Sequence, residues 1–299
     1  MMYYRRKILL SLLEINNGKL TAKKLQKFLF LISQQQDDKS YHFVPYKYGC
    51  FSFQANQDIQ TLQKYGNLKI SESPSGRFIE LNDGEKYHST LKVNDKIILN
   101  KIKNQFINFS QNELIRYTYV NYPYYSINSS ILDDVLNKDE KELVYKEKVV
   151  KSDNTIFSIG YEGISIEEYL NLLIKNDVKV LCDVRKNAFS QKYGFSKSQL
   201  KGACEGVGIK YIHIPNLGII SNKRKELNCQ HDYDELFEEY ENETLINQTD
   251  SLLFIQELVN KEQRVAITCF EKNTHQCHRT RVLKALLNLP DANYDYLEF

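Results

Sequence analysis

The stretch IFSIGYEGISIEEYLNLLIKNDVKVLCDVR, residues 156–185, holds a strand, a helix and a second strand in one short span. Ile156 to Ile159 is an apolar run of strand length, and Ser165 with Glu168 spells a capping box that starts a helix through Asn176. Val178 to Val184 is a second apolar run, too short for a helix. The pattern continues outward. A cap pair, Ser196 and Gln199, starts a helix to about Cys204, and Ile209 to Ile214 alternates as a third strand. Tyr233 to Glu243 and Leu252 to Val259 read as helices, Arg264 to Cys269 as a fourth strand, and Cys277 to Leu287 as the last helix. Such a βαβ series folds most economically into a mainly parallel sheet covered by helices, with ligands outside the carboxyl ends of the strands. The expected class is α/β.

Four motifs fall at those strand ends. They are GYEG (Gly160 to Gly163), DVR (Asp183 to Arg185) with Ser190 and YGFS (Tyr193 to Ser196), HIPNLG (His213 to Gly218), and CFEKNTHQCHR (Cys269 to Arg279). A parallel sheet would gather them on one rim. Arg185 and Arg279 suit bidentate recognition of phosphate or carboxylate, the second in the first turn of a helix whose free N–H groups favour an anion. The competing reading is structural, with Arg185 bound to Asp183 or Glu271. Asp183 and Glu271 are the candidates for general acid/base work, each at or just beyond an apolar strand. Cys277, at the expected helix cap, is where a thiolate would be stabilised, so it is a candidate nucleophile; Cys269 reads more simply as a small residue in a crowded loop. Tyr161 and Glu162 could stack on and hydrogen-bond to a base, and Ser190, Tyr193, His213, Cys269 and His278 complete the expected substrate-binding set.

Several chemistries are excluded by spacing. A phosphatase loop needs an Arg where this chain has His275 or Leu283, and GYEG is neither a GxGxxG nor a P-loop. Cys269, His275, Cys277 and His278 are zinc-ligand types, but their spacing is poor for a structural site, so no metal and no cofactor is expected.

From about Ile156 to Leu287 the chain resembles the domain of unknown function 488 family: GYEG, a helix, DVR, a GFSK segment, a Tyr-x-His strand, and a closing Cys-x-Glu with Cys-His-Arg occur in order. The resemblance implies an α/β domain with a site at those motifs, and names no activity. The chain departs from the family pattern at Asn187, Ala188 and Gln191, where proline and arginine are expected.

The first half has a different texture. Tyr4 to Ile15, a Thr21-capped run to Gln35, and Phe53 to Tyr65 read as helices, and Asn67 to Ser71 and Arg77 to Leu81 flank SPSG at hairpin spacing. Three helices and a hairpin spell a winged helix, extended by a helical segment from Leu91 to Leu136. YKYGCFS (Tyr46 to Ser52) resembles the Panacea-type antitoxin-associated domain. The charged segment Asp139 to Asn154 is the expected linker, giving a winged-helix domain over 1–138 and an α/β domain over 155–299.

Composition bounds the rest. The 299 residues, 42% hydrophobic and 26% charged, have room for two cores. The longest apolar runs, Ile8 to Leu13 and Phe28 to Ile32, fall far short of the ~18 residues of a membrane span. The amphipathic start meets Asn16 and Asn17 without a small-residue cleavage site, so it reads as a helix and no secretory signal is expected. Six scattered cysteines, several in apolar runs, point to reduced thiols and a cytoplasmic protein. Net charge is +2, yet residues 1–150 carry 22 Lys+Arg against 16 Asp+Glu while the remainder carries 18 against 22. The basic half is therefore the expected nucleic-acid face, DNA ahead of RNA, through Lys23, Lys24, Lys27, Lys64, Lys69 and Arg77. Together these readings imply an enzyme or ligand-binding domain for a phosphate-bearing nucleotide or nucleic acid, targeted by a winged helix. A DNA-binding sensor of a small anion, and a winged helix used for protein contact, stay open, as does self-association.

Overall fold

The computed structural model describes residues 2–74, 76–82, 86–224 and 227–299. The chain divides into two compact units, Met1–Lys148 and Val149–Phe299.

Unit 1 opens with α1 (Tyr4–Ile15), which buries Ile8, Leu9, Leu10, Leu12 and Leu13. A short β1 (Lys19–Thr21) leads into α2 (Ala22–Ser33), whose cap is the Thr21 hydroxyl accepting from Lys24 N. A two-stranded antiparallel ribbon, β2 (Val44–Tyr46) with β3 (Gly49–Phe51), precedes α3 (Phe53–Lys64), capped by Ser52. β4 (Leu68–Ser73) and β5 (Gly76–Leu81) pair antiparallel, and β1 adds to β5, giving the order β1–β5–β4. Ser75 of the expected SPSG turn lies outside the described residues. The elements without a sequence expectation, β1 and the β2–β3 ribbon, have three residues per strand, too few for an alternation to register. The helical extension is α4 (Val93–Phe106), α5 (Gln111–Asn121), α6 (Leu132–Val135) and α7 (Lys138–Lys146), with Pro123–Ser126 as a 3-10 turn where the tyrosines interrupt the pattern.

The division between the units, after Lys148, lies inside the expected linker, Asp139 to Asn154, but that segment is not all connector. Its first half is α7, started by a reciprocal capping box of Asn137 and Glu140 and anchored by buried Val144. Charge along a short helix with a single apolar anchor leaves no periodic face to read in the sequence.

Unit 2 is an α/β layer structure. Its strands are β6 (Thr155–Gly160), β7 (Val180–Asp183), β8 (Lys210–His213), β9 (Arg264–Cys269) and β10 (Asp295–Glu298). They form one sheet in the order β10–β6–β9–β7–β8, every pairing parallel. Central β6, β7 and β9 are buried along their whole length, which is why they read as continuous apolar runs. The connecting helices are α8 (Ile166–Lys175), α9 (Lys197–Gly206), α10 (Gln230–Glu239), α11 (Thr249–Glu262) and α12 (Arg279–Leu287). The Ser165–Glu168 capping box is formed as expected. Ser196 precedes α9, but its hydroxyl bonds Ser190 O at 2.9 Å and caps nothing, and Gln199 instead accepts from Gly194 N. α12 begins two residues later than expected, because a 3-10 turn, Thr274–Gln276, comes first and His278 takes the cap position. Among the described residues no helix is long and apolar enough to cross a membrane.

Candidate active site at the rim of the parallel sheet

Register brings the strand ends together: Gly160 lies opposite Cys269, and Asp183 opposite both Thr268 and His213. GYEG acts here as a clamp. A Cβ on Gly160 would stand 2.0 Å from the Glu271 carbonyl oxygen, so only glycine lets the loop after β9 cross the end of β6. Tyr161 N and Glu162 N donate to Phe270 O at 3.1 and 2.9 Å, and Lys272 N donates to the Glu162 carboxylate at 3.0 Å. Arg279 secures the same loop from below. It is fully buried, donates to Ser158 Oγ at 3.0 Å and to Lys272 O at 3.3 Å, and bonds Glu271 O.

The loop so held carries a compact cluster. One donor atom each of Cys269, Glu271, Cys277 and His278 lies within 4.8 Å of all the others. Both thiols bond Glu271 Oε2, at 3.0 Å from Cys269 and 3.1 Å from Cys277, and Cys269 Sγ is 3.6 Å from His278 Nδ1. His278 Nε2 meets the Val184 carbonyl at 3.0 Å. A carbonyl only accepts, so Nε2 carries the hydrogen, and in the neutral tautomer this fixes, Nδ1 presents its lone pair to the Cys269 thiol. Cys269, Cys277 and His278 are buried, while Glu271 is half-buried. The Cys277 thiol is pushed well above its ordinary value, first by burial and then by Cys269, with Arg279 opposing. The expected dipole-stabilised thiolate is therefore corrected: Cys277 sits before the helix, not at its cap. His275, weighed as a ligand type from sequence, is exposed and outside the cluster, and Glu271 stands in its place.

Asp183 and Arg185 form a closed pair beside this cluster. Arg185 reaches the carboxylate through Nε at 2.8 Å and Nη2 at 2.5 Å, and through its own backbone N at 3.1 Å. Tyr211 OH donates to Asp183 at 2.7 Å, while Arg185 Nη1 donates to Tyr161 OH at 2.6 Å and Phe195 O at 2.9 Å. Burial works to lower the Arg185 pKa, and the hydrogen bonds and charge of Asp183 more than reverse it. Asp183 is fully buried and Arg185 is 5% exposed. These donors and acceptors are engaged within the protein, and so are those of Arg279 described above. The structural alternative expected for Arg185, a pair with Asp183, is thus formed, and Arg279 is engaged by Ser158 and by the carbonyls of the loop after β9. His213 has the same character, its Nε2 lying 2.8 Å from Arg185 O.

In front of the pair lies a crevice of about 320 Å³. Cys269 and His278 line its inner side together with Tyr161 and Arg185. Its mouth is made by exposed Phe189 and Phe270, by Lys186 and Asn187, and by Ser190 and Gln191. Tyr161 is itself committed, stacked on Phe195 at 4.2 Å and edge-on to Phe270 at 5.3 Å. Tyr193 and Glu162 do not line the crevice. Glu271 faces the other way, into a second hollow of about 220 Å³ with Gln276, Tyr233 and Phe237, so the cluster is a partition between two hollows. Phe189 and Lys186 lie outside the quoted motifs, and Phe270, inside CFEKNTHQCHR, and Asn187, a departure from the family pattern, were assigned no binding role; a solvent-exposed aromatic beside an amide is visible only once the loops are placed.

In unit 1, Lys23, Lys64 and Lys69 are exposed, and Lys23 Nζ stands 4.3 Å over the Tyr48 ring. Lys24 Nζ donates to Phe109 O at 2.7 Å. Arg77 is half-buried against an apolar pocket. Lys27 corrects the nucleic-acid expectation: it is 2% exposed, bonds Tyr48 O at 2.7 Å and Cys50 Sγ at 3.3 Å, and burial lowers its pKa. It is a core residue of the YKYGCFS segment.

Unit 2 is thus an α/β domain with a titratable cluster on the carboxyl rim of a parallel sheet. Residues 165–286 match the model of the family described as Domain of unknown function DUF488, and unit 2 carries a domain of that family. No curated protein and no solved structure gave a significant match.

Proposed function

We propose that unit 2 is an enzyme domain that takes the base of a nucleotide or of a nucleic-acid end into the crevice, with chemistry at the wall of Cys269 and His278. The observation that carries this reading is the crevice mouth. Two exposed rings, Phe189 and Phe270, flank amide and hydroxyl groups of Asn187, Gln191 and Ser190, a combination suited to stacking on a flat heterocycle and hydrogen-bonding its edge. Lys186 is the exposed cation there, placed for a phosphate outside the crevice. A volume of about 320 Å³ suits one base with its sugar.

Unit 1 fits a winged-helix module that delivers the enzyme to nucleic acid. Support comes from three helices with a β1–β5–β4 antiparallel sheet, and from exposed Lys23, Lys64 and Lys69.

The test is a thermal-shift and product screen of the full chain with bases, nucleosides, nucleotides and short oligonucleotides. Base-bearing ligands should stabilise the protein, and Phe189→Ala with Phe270→Ala should weaken them by a factor consistent with losing stacking of ~1–3 kcal/mol per base. Stabilisation by inorganic phosphate equal to that by nucleotides would overturn base recognition.

A further inference from the structure

We propose that Cys269, Glu271, Cys277 and His278 together bind one zinc-type divalent ion, making the wall of the crevice a metal centre. The inference rests on the reading of that wall as the reactive end of the crevice.

Geometry is the first support. Tetrahedral zinc with bonds near 2.3 Å to sulfur and 2.0–2.2 Å to nitrogen or oxygen holds its ligand atoms about 3.3–3.8 Å apart. The cluster already approaches that shell, with 3.6 Å between Cys269 Sγ and His278 Nδ1, and 3.0 and 3.1 Å from the two sulfurs to Glu271 Oε2. All four donor atoms lie within 4.8 Å of one another, so closing the shell on an ion takes movements of at most about one ångström.

Donor chemistry is the second. Two thiols, one imidazole and one carboxylate select a borderline-soft ion such as zinc over magnesium or calcium, which take oxygen. The imidazole is oriented as metal-bound histidines are, its far nitrogen held by a backbone carbonyl, that of Val184. Binding forms two metal–sulfur bonds and breaks two S–H bonds, with both protons leaving to solvent and no change of oxidation state. Two thiolates and a carboxylate around a dication leave one surplus negative charge. The Arg279 guanidinium, bonded to the Glu271 carbonyl, stands next to it.

Access is the third. Cys269 and His278 face the crevice, and Glu271, the half-buried ligand, faces the second hollow. Glu271 is therefore the corner that exchanges for water, while the three buried ligands keep the ion.

The experiment uses the full chain, kept reduced with a phosphine, stripped with a chelator and titrated with zinc and with cobalt. The expected result is one ion retained per chain, with a thiolate-to-cobalt charge-transfer band and the intense visible bands of tetrahedral cobalt. Cys269→Ser and Cys277→Ser should each lose both, Glu271→Gln should weaken retention without abolishing the thiolate band, and Cys229→Ser, at an exposed cysteine outside the cluster, should change nothing. The spectrum of the unmutated chain decides even if a variant misfolds: no retained ion, or cobalt bound without the thiolate band, overturns the proposal, as does a band that survives both serine substitutions. Base ligands measured in the stripped chain report on the crevice alone, so failure of the metal and failure of the crevice reading are distinguishable.

Discussion

Asp58 of unit 1 and Asp183 of unit 2 are both fully buried carboxylates answered by arginine and tyrosine. Asp58 receives Arg5 Nε at 2.7 Å, Arg6 Nε at 2.8 Å and Tyr41 OH at 3.2 Å; Asp183 receives Arg185 and Tyr211. One stands at the end of a strand among conspicuous motifs, and the other sits unremarked in a glutamine-rich helix. Their likeness shows the same buried Asp–Arg–Tyr constellation serving as a structural bolt in each unit. What sets unit 2 apart is the Cys–Glu–Cys–His group beside its bolt. The bolts also differ in hydration: side chains of Arg5 and Arg6 are 29% and 14% exposed, against 6% for Arg185.

That difference sets the largest expected effect. Asp183→Asn strands a buried guanidinium and should cost ~3–5 kcal/mol of stability in urea unfolding, whereas Asp58→Asn, whose arginines reach water, should cost only about 1–3 kcal/mol. Equal losses would erase the distinction between the two bolts.

Gly160→Ala probes what unit 2 has beside its bolt. Its Cβ collides with the Glu271 carbonyl, and overpacking of this kind costs ~1–3 kcal/mol. Zinc retention should fall with it, while Gly66→Ala, with nothing within 4 Å, should leave retention unchanged despite its strained φ of +77°. Retention surviving in Gly160→Ala would mean that the loop is not held by the close approach.

On the unit 1 side, Lys64→Ala and Lys69→Ala should each reduce the salt slope of nucleic-acid binding by about one, as loss of a phosphate contact does. Lys27→Met should leave that slope alone, since the buried amine contacts Tyr48 and Cys50. Gel shifts across salt concentrations check this, and a smaller slope for Lys27→Met would return Lys27 to the surface.

The last effect appears only at alkaline pH. Burial raises the Cys182 thiol from 9.0 to about 12, so its contribution to stability is complete below 9.0 and is lost as pH climbs toward 12. Denaturant midpoints should fall across that window, and Cys182→Ala should flatten the fall. An unchanged slope in that variant would assign the alkaline loss to other groups.

Much of unit 2 was legible in the sequence. β9 was read at its observed bounds, the Ser165 capping box at its observed residues, and the four rim motifs at the ends of the strands that bear them, because burial on both faces and capping leave local marks. Partnership leaves none. Whether Arg279 faces a ligand or the Glu271 carbonyl depends on Gly160, more than a hundred residues away, and whether Lys27 meets phosphate or Cys50 depends on a ribbon of three-residue strands. The sequence by itself determined the order of strands and helices, through apolar period and caps. Only the tertiary structure decided that Glu271 and not His275 joins the cysteines, that Cys277 precedes its helix, and which groups of the protein the two arginines bond. Periodicity encodes which side of an element is dry, whereas a hydrogen bond needs two groups within about 3 Å, a condition that remote segments meet only when the whole sheet is assembled.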